Sequence, residues 1–294
     1  MTFIHTVSQK KLISVCLAAA VLFASGCTKK ADTVTFIDFS EIKVNTEGKS
    51  EEIPAGADDV QLEQMLRSDS PVITGAGDDE LLITKAILAH KDEFITELNA
   101  LLANDEDDLL TFADKKHTLT PSYIPQDLVP LASNDAYIVN RNDLSLRSCA
   151  EKALYEMALA ARAEGVTIVV SSSYRSYEYQ KTVYDRNVAQ MGKEAADRES
   201  ARPGTSQHQL GTAADFGSIN DDFALTKAGK WLSANAGRFG FSLSFPDGYE
   251  QVTGYRWESW HYRYIGKEAA AFQEKWFLNI QQYMLEFIHN WKNY

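Results

Sequence analysis

Cysteine is scarce in this 294-residue chain, which holds only Cys16, Cys27 and Cys149. The first two fall in or at the end of an N-terminal leader, so Cys149 has no partner and a disulfide framework is excluded. Cys149 opens a helical pattern, where it reads as a small buried hydrophobe rather than a nucleophile. Basic residues are also in deficit: 29 Lys and Arg face 41 Asp and Glu, a net charge of −12. That balance excludes the basic footprint of a nucleic-acid binder, and the acidity is read as a solubility feature with no mechanistic role. No apolar run reaches the roughly 20 residues of a membrane-spanning helix. Histidine is rare too, with six in all and five beyond the leader.

The longest apolar run, Leu12 to Phe23, follows Lys10 and Lys11, and residues 1–26 contain no acidic side chain. This is the pattern of a secretory signal. Small residues Ala24, Ser25 and Gly26 lead into Cys27, which resembles the lipobox of bacterial lipoproteins. The resemblance implies lipidation at Cys27 and a membrane-anchored protein of the cell envelope, facing the periplasm or the cell exterior. Loss of the leader removes two lysines and no acid, which takes the net charge to −14.

Residues 27–75 are polar and acidic and read as a tether, with one short strand at Val34 to Phe39. Residues 76–131 form a helical lead-in: apolar spacing is helical from Asp79 to about Leu102, and Leu109 to Leu131, with three prolines, is extended and wraps the following domain. Residues 132–294 form that domain, which is large enough for one core. Ala150, Leu154, Met157, Ala158 and Ala161 recur at helical spacing with Gly165 as a cap. Val166 to Val170 is a buried strand by its β-branched composition. Ser176 and Glu178 open a helix that ends near Gly192. Leu225 to Ala236 is a further helix, while Phe241 to Phe245 and Trp260 to Tyr264 alternate as strands. At the C-terminus Phe272, Trp276, Ile280, Tyr283, Phe287 and Trp291 share one helical face, expected to pack on the domain.

Chemistry concentrates in two segments about fifty residues apart, Ser206-Gln207-His208-Gln209-Leu210-Gly211-Thr212-Ala213-Ala214-Asp215 and Glu258-Ser259-Trp260-His261. Two imidazoles and a carboxylate can hold one zinc and leave a fourth position for water, while a separate carboxylate takes the proton. The other histidines lie elsewhere: His90 and His289 in helical patterns, His117 after two lysines in a loop. In a strand from Trp260 to Tyr264, His261 and Arg263 share one face, expected to look into a cleft, and the aromatics share the other. Glu258 would point away on a regular strand, so the strand is expected to begin after it, with Glu258 on a turn above the metal. That position suits a base better than a ligand.

Three blocks in order, Ser172 to Gln180, Ser206 to Asp215 and Glu258 to Tyr264, resemble the signature of the VanY-type peptidoglycan D-alanyl-D-alanine carboxypeptidases. These belong to zinc peptidase family M15, subfamily M15B. The resemblance covers about Leu109 to Gly266 and implies an α+β fold of the hedgehog and D-Ala-D-Ala-peptidase type, a small antiparallel sheet carrying the zinc site between helices. It implies that His208, Asp215 and His261 bind one Zn2+ and that Glu258 is the general base and acid. Arg175 would hold the oxyanion, and Ser206 and Gln180 would grip the terminal carboxylate of a peptidoglycan stem peptide. Two departures stand out: Ser244-Phe245-Pro246 replaces a common Arg-Tyr-Pro, read as one cation missing near the cleft, and Ser259 replaces a common Pro. The expected activity is removal of the last D-alanine of the stem. An L,D-carboxypeptidase acting on tetrapeptide stems and a non-hydrolytic zinc lipoprotein that binds peptidoglycan stay open as alternatives.

Overall fold

Apolar residues recurring every third or fourth position between 57 and 103 fold as three helices: α1 (Ala57–Leu66), α2 (Asp78–Ala89) and α3 (Lys91–Ala103). The computed structural model describes residues 57–66, 73, 77–105 and 107–294, all within one compact unit. The leader, Cys27 and the strand expected at Val34 to Phe39 lie outside the described residues. The expected tether, by contrast, ends in α1, whose Leu62 and Met65 are buried in a core. The helical spacing from Asp79 to about Leu102 is carried by two helices, separated at His90, whose φ of −131° is not helical.

Strands β1 (Leu128–Pro130), β2 (Tyr137–Val139) and β3 (Ser145–Arg147) lead into α4 (Ser148–Ala163), the helix anticipated from the Ala150 to Ala161 spacing. Then come β4 (Ile168–Ser172), α5 (Tyr177–Met191), α6 (Lys193–Glu199), β5 (Ala213–Phe216) and α7 (Lys227–Asn235). The chain closes with β6 (Phe241–Leu243), α8 (Glu250–Thr253), β7 (His261–Tyr264), α9 (Lys267–Trp276) and α10 (Gln281–Asn293). The N-cap of α5 is the expected Ser176, whose hydroxyl accepts from the Tyr179 N–H.

Five strands form one sheet in the order β2-β4-β5-β7-β6, while β1 and β3 pair separately. The sheet is antiparallel except at its edge, where β2 runs parallel to β4. Strand alternation divides its faces. Ile168, Val170, Ala214, Phe216 and Tyr262 bury with α4 and α7 in one core. The opposite face carries Asp215 and His261, directly paired across β5 and β7.

A second core joins α1, α2 and α3 to α9 and α10. The C-terminal aromatics do pack inward, with Phe94 edge-on to both Trp276 and Phe287. They do so from two helices rather than one, because Leu278 and Asn279 have φ of 53° and 59° and turn the chain between α9 and α10. The expected domain limit at residue 132 therefore divides a single core: Leu62, Phe94, Leu98 and Leu110 are buried in one cluster with Ile265, Trp276, Phe287 and Trp291. Among the described residues, no helix is long and apolar enough to cross a membrane.

Candidate active site

His208 reaches the site on a short 3-10 turn, Gln207–Leu210, that opens at Ser206 and stops at Gly211. Gly211 has φ +72°, and a Cβ there would meet Arg147 Cγ and Leu128 Cδ2 at 3.0 Å, so both the conformation and the space call for glycine. The turn hands the chain straight to β5, which presents Asp215 opposite His261. Strand β7 begins at His261, after Glu258, and the turn between them closes with the His261 N–H donating to the Glu258 carbonyl at 3.2 Å. The two sequence segments thus meet through one antiparallel pairing.

The potential ligand atoms of His208, Asp215 and His261 lie within 4.8 Å of one another, and all three residues are buried. His208 Nδ1 sits 2.7 Å from the Ser173 carbonyl, an acceptor that fixes the proton there and leaves the Nε2 lone pair facing inward. His261 presents its other nitrogen, with Nδ1 3.0 Å from Asp215 Oδ1 and Nε2 3.2 Å from Gln207 Oε1. The rings meet edge to face, 4.8 Å apart. His208 Nε2 and Asp215 Oδ1 are buried without a hydrogen-bond partner. Buried polar atoms are rarely left so, and two imidazoles with one carboxylate form a donor set suited to zinc with an open position. The residues fit the metal.

Electrostatics agree. Burial, reinforced by the Arg175 charge, pushes His208 down to about 4, so it is neutral at pH 7. Burial alone would raise Asp215, but the two histidines beside it outweigh that and hold the carboxyl well below its usual range. Glu258 Oε2 lies 3.6 Å from His261 Nδ1. Desolvation first, then repulsion from Asp215, pushes Glu258 up to about 8 in the absence of a metal. Such a group is poised for proton transfer near neutrality.

Arg175, just before α5, points its Nη2 at Asp215 Oδ2 across 3.7 Å. Burial lowers it from the ordinary guanidinium value, yet arginine stays a cation at neutral pH. Gln180 sits differently from the expectation. It is completely buried and does not line the cleft; its Oε1 accepts from Arg175 Nη1 at 2.8 Å and its Nε2 donates to the Ala201 carbonyl at 2.7 Å. It holds Arg175 rather than facing substrate. Ser206 does line the cleft, and its Oγ accepts from the His208 N–H at 3.3 Å, which leaves the hydroxyl proton to donate.

Two further expectations change. Arg263 shares the His261 face but not the cleft, because Nη2 is capped by the carbonyls of Leu109 and Thr111 and the side chain is 1 % exposed. The lead-in therefore covers that end of β7. Ser244 is likewise buried and does not line the cleft; its hydroxyl donates to Gln207 Oε1 at 2.7 Å. Gln207 itself was legible only as a polar neighbour of His208.

The cleft, about 310 Å³, is lined on one side by Tyr179, Val183, Arg186 and Asn187, which share one face of α5, and opposite by Phe245, Trp260 and Arg256. Of its arginines, Arg141 pairs with Asp143 and Arg256 with Asp221.

Comparison with known proteins adds to this geometry. Residues 143–267 match the VanY family, D-alanyl-D-alanine carboxypeptidase. The chain is 34% identical over 183 residues to the putative carboxypeptidase YodJ of Bacillus subtilis, across 60% of this chain and 67% of that one. It is 39% identical over 127 residues to a D-alanyl-D-alanine carboxypeptidase of Enterococcus faecalis, across 40% of this chain and about half, 47%, of that protein. Among solved structures, the LdcB LD-carboxypeptidase superposes with a TM-score of 0.55 at 33% identity, covering 60% of this chain and 85% of that chain. With the blocks that carry the His-Asp-His cluster, Glu258 and Arg175 all inside the matched stretch, the chain belongs to the VanY family of D-alanyl-D-alanine carboxypeptidases.

Proposed function

We propose that this protein is a zinc-dependent D-alanyl-D-alanine carboxypeptidase that removes the terminal D-alanine of peptidoglycan stem peptides. The observation that carries the reading is the buried His208, Asp215 and His261 cluster with Glu258 Oε2 3.6 Å from His261. One zinc held by these three ligands would lower the pKa of a water to about 7 and polarise the scissile carbonyl. Glu258 takes the proton of the attacking water at Oε2 and delivers it to the departing amine nitrogen. Arg175, braced by Gln180, places a guanidinium where the carbonyl oxygen gathers charge. Ser206 Oγ donates to the carboxylate of the leaving D-alanine. Glu258 also argues against a protein that only binds peptidoglycan, since pure binding has no use for a proton acceptor at this point.

A second reading, an L,D-carboxypeptidase on tetrapeptide stems, is favoured by one observation, the superposition on an LD-carboxypeptidase. Both readings share the same chemistry. Its test is Glu258→Gln in the zinc-loaded protein: D-alanine release should fall about 100- to 10,000-fold while zinc stays near one per chain. Activity within a few-fold of the parent would remove Glu258 from the mechanism. The small residues before Cys27 support an envelope location through a lipid on that cysteine.

A further inference from the structure

A buried file of amides runs from His261 to the C-terminal helix. Gln207 Oε1 lies 3.2 Å from His261 Nε2 and also accepts from Ser244 Oγ at 2.7 Å. Gln207 Nε2 donates to Gln281 Oε1 at 3.1 Å, and Gln281 Nε2 donates to the Ser242 carbonyl at 3.3 Å. Gln207, Gln281, Ser242 and Ser244 are all buried, so water competes little for these bonds.

The direction of the file is fixed at one end. A backbone carbonyl can only accept, so Gln281 must turn its NH2 to Ser242. Its oxygen then faces Gln207, which must answer with its own NH2, and the Gln207 oxygen is left for His261. That oxygen requires a proton on His261 Nε2, which leaves the Nδ1 lone pair toward Asp215 and Glu258. An outer partner that sets a histidine's tautomer and ring orientation tunes the metal the histidine binds. Here the fixing residue comes from the first position of α10, a helix whose core lies with α1, α2 and α3.

We propose that Gln207 and Gln281 are positioning residues which hold His261 as an Nδ1 ligand and so tie the C-terminal helix to the metal site. The inference rests on the zinc reading given above. It also gives Gln207 a purpose beyond satisfying Gln281, whose oxygen lies 3.3 Å from Ser244 Oγ and whose amide already donates to the Ser242 carbonyl.

The experiment measures zinc affinity by chelator competition and the visible spectrum of the Co(II)-loaded full chain, beside the melting temperature of the metal-free protein. Gln207→Leu removes the acceptor and should weaken zinc binding about 10- to 100-fold and change the Co(II) spectrum. Gln207→Glu keeps an acceptor for His261 and should retain affinity within a few-fold. Gln281→Leu releases the Gln207 amide to flip and should lose affinity toward the lower end of that range, about 10-fold. Parental affinity and an unchanged spectrum in both leucine variants, with only the metal-free melting temperature lowered, would reduce the file to a structural role and overturn the proposal. A parent that binds no zinc would instead overturn the functional reading itself.

Discussion

Arg175 and Gln180 form a closed pair: the guanidinium gives Nη1 to Gln180 Oε1 at 2.8 Å, and the amide is held in turn by the Ala201 carbonyl. Removing a donor aimed at a developing oxyanion costs about 100- to 1000-fold in kcat, which is the loss expected for Arg175→Ala. Gln180→Leu leaves the charge but frees its direction, so kcat should fall by less while KM moves little. A rise in KM at constant kcat would return Gln180 to a role in gripping substrate.

The metal-free protein should lose stability as pH rises from about 6.5 to about 8. Glu258 is raised to about 8 in the fold, from an ordinary 4.5. Between those values the folded state holds a proton that the unfolded state has released, so its contribution declines through this window. His208, lowered to about 4 from 6.5, acts oppositely: it lends stability as pH climbs from 4 to 6.5 and is flat above. The two oppose each other below 6.5, and above it the Glu258 decline stands alone. Melting curves of metal-free Glu258→Gln should lack that decline, and a parallel decline in the variant would assign it to another group.

Leu62 tests whether residues before 76 belong to the fold. It is fully buried against the second core, so Leu62→Ala should cost about 2–5 kcal/mol, measured by denaturant unfolding. A tether residue would change stability by no more than about 0.5 kcal/mol.

What the residues disclosed and what they withheld follow from distance along the chain. His208, Asp215, His261 and Glu258 were readable because each sits in a short block whose spacing carries its own geometry: a turn stopped by Gly211, then alternation along β5 and β7. The alternation was also right for Arg263, but the carbonyls that cap it come from Leu109 and Thr111, 152 and more positions away. Nothing local announces such a lid. Gln180 and Ser244 misled in a similar way, since Gln180 is anchored by the Ala201 carbonyl, 21 positions on, and Ser244 by Gln207, 37 positions back. The second core joins the first described helices to the last two, and its periodicity reads equally well as separate surface helices. The break at Leu278 and Asn279 has no proline or glycine to announce it.

Cys27→Ser should release the protein from the membrane fraction while hydrolysis of soluble muropeptides persists, because the proposed anchor lies far from the site in sequence. The motive is the run Ala24-Ser25-Gly26 before the cysteine. Continued membrane association of the variant would mean that the attachment is made elsewhere in the chain.

Substrate choice turns on the free C-terminus. In a stem peptide ending in D-alanine, a carboxylate lies next to the scissile carbonyl. With Gln180 committed to Arg175, Ser206 Oγ is the neutral donor left from the expected pair to meet it. With Arg175 aimed at the oxyanion, the charge for the carboxylate comes from the metal site itself, two positive from zinc less one from Asp215. Amidation removes the negative charge that these groups favour, so an amidated pentapeptide should be cleaved far more slowly than the free acid. The free pentapeptide should lose one D-alanine faster than the tetrapeptide, whose scissile bond joins residues of opposite chirality and redirects the main chain in the cleft. Ser244 does not disturb this order, since it faces Gln207 rather than the cleft. Mass analysis of tri-, tetra- and pentapeptide muropeptides after timed incubation decides it: loss of one alanine from the tetrapeptide alone makes the protein an L,D-carboxypeptidase, and equal cleavage of the amidated peptide makes it an endopeptidase.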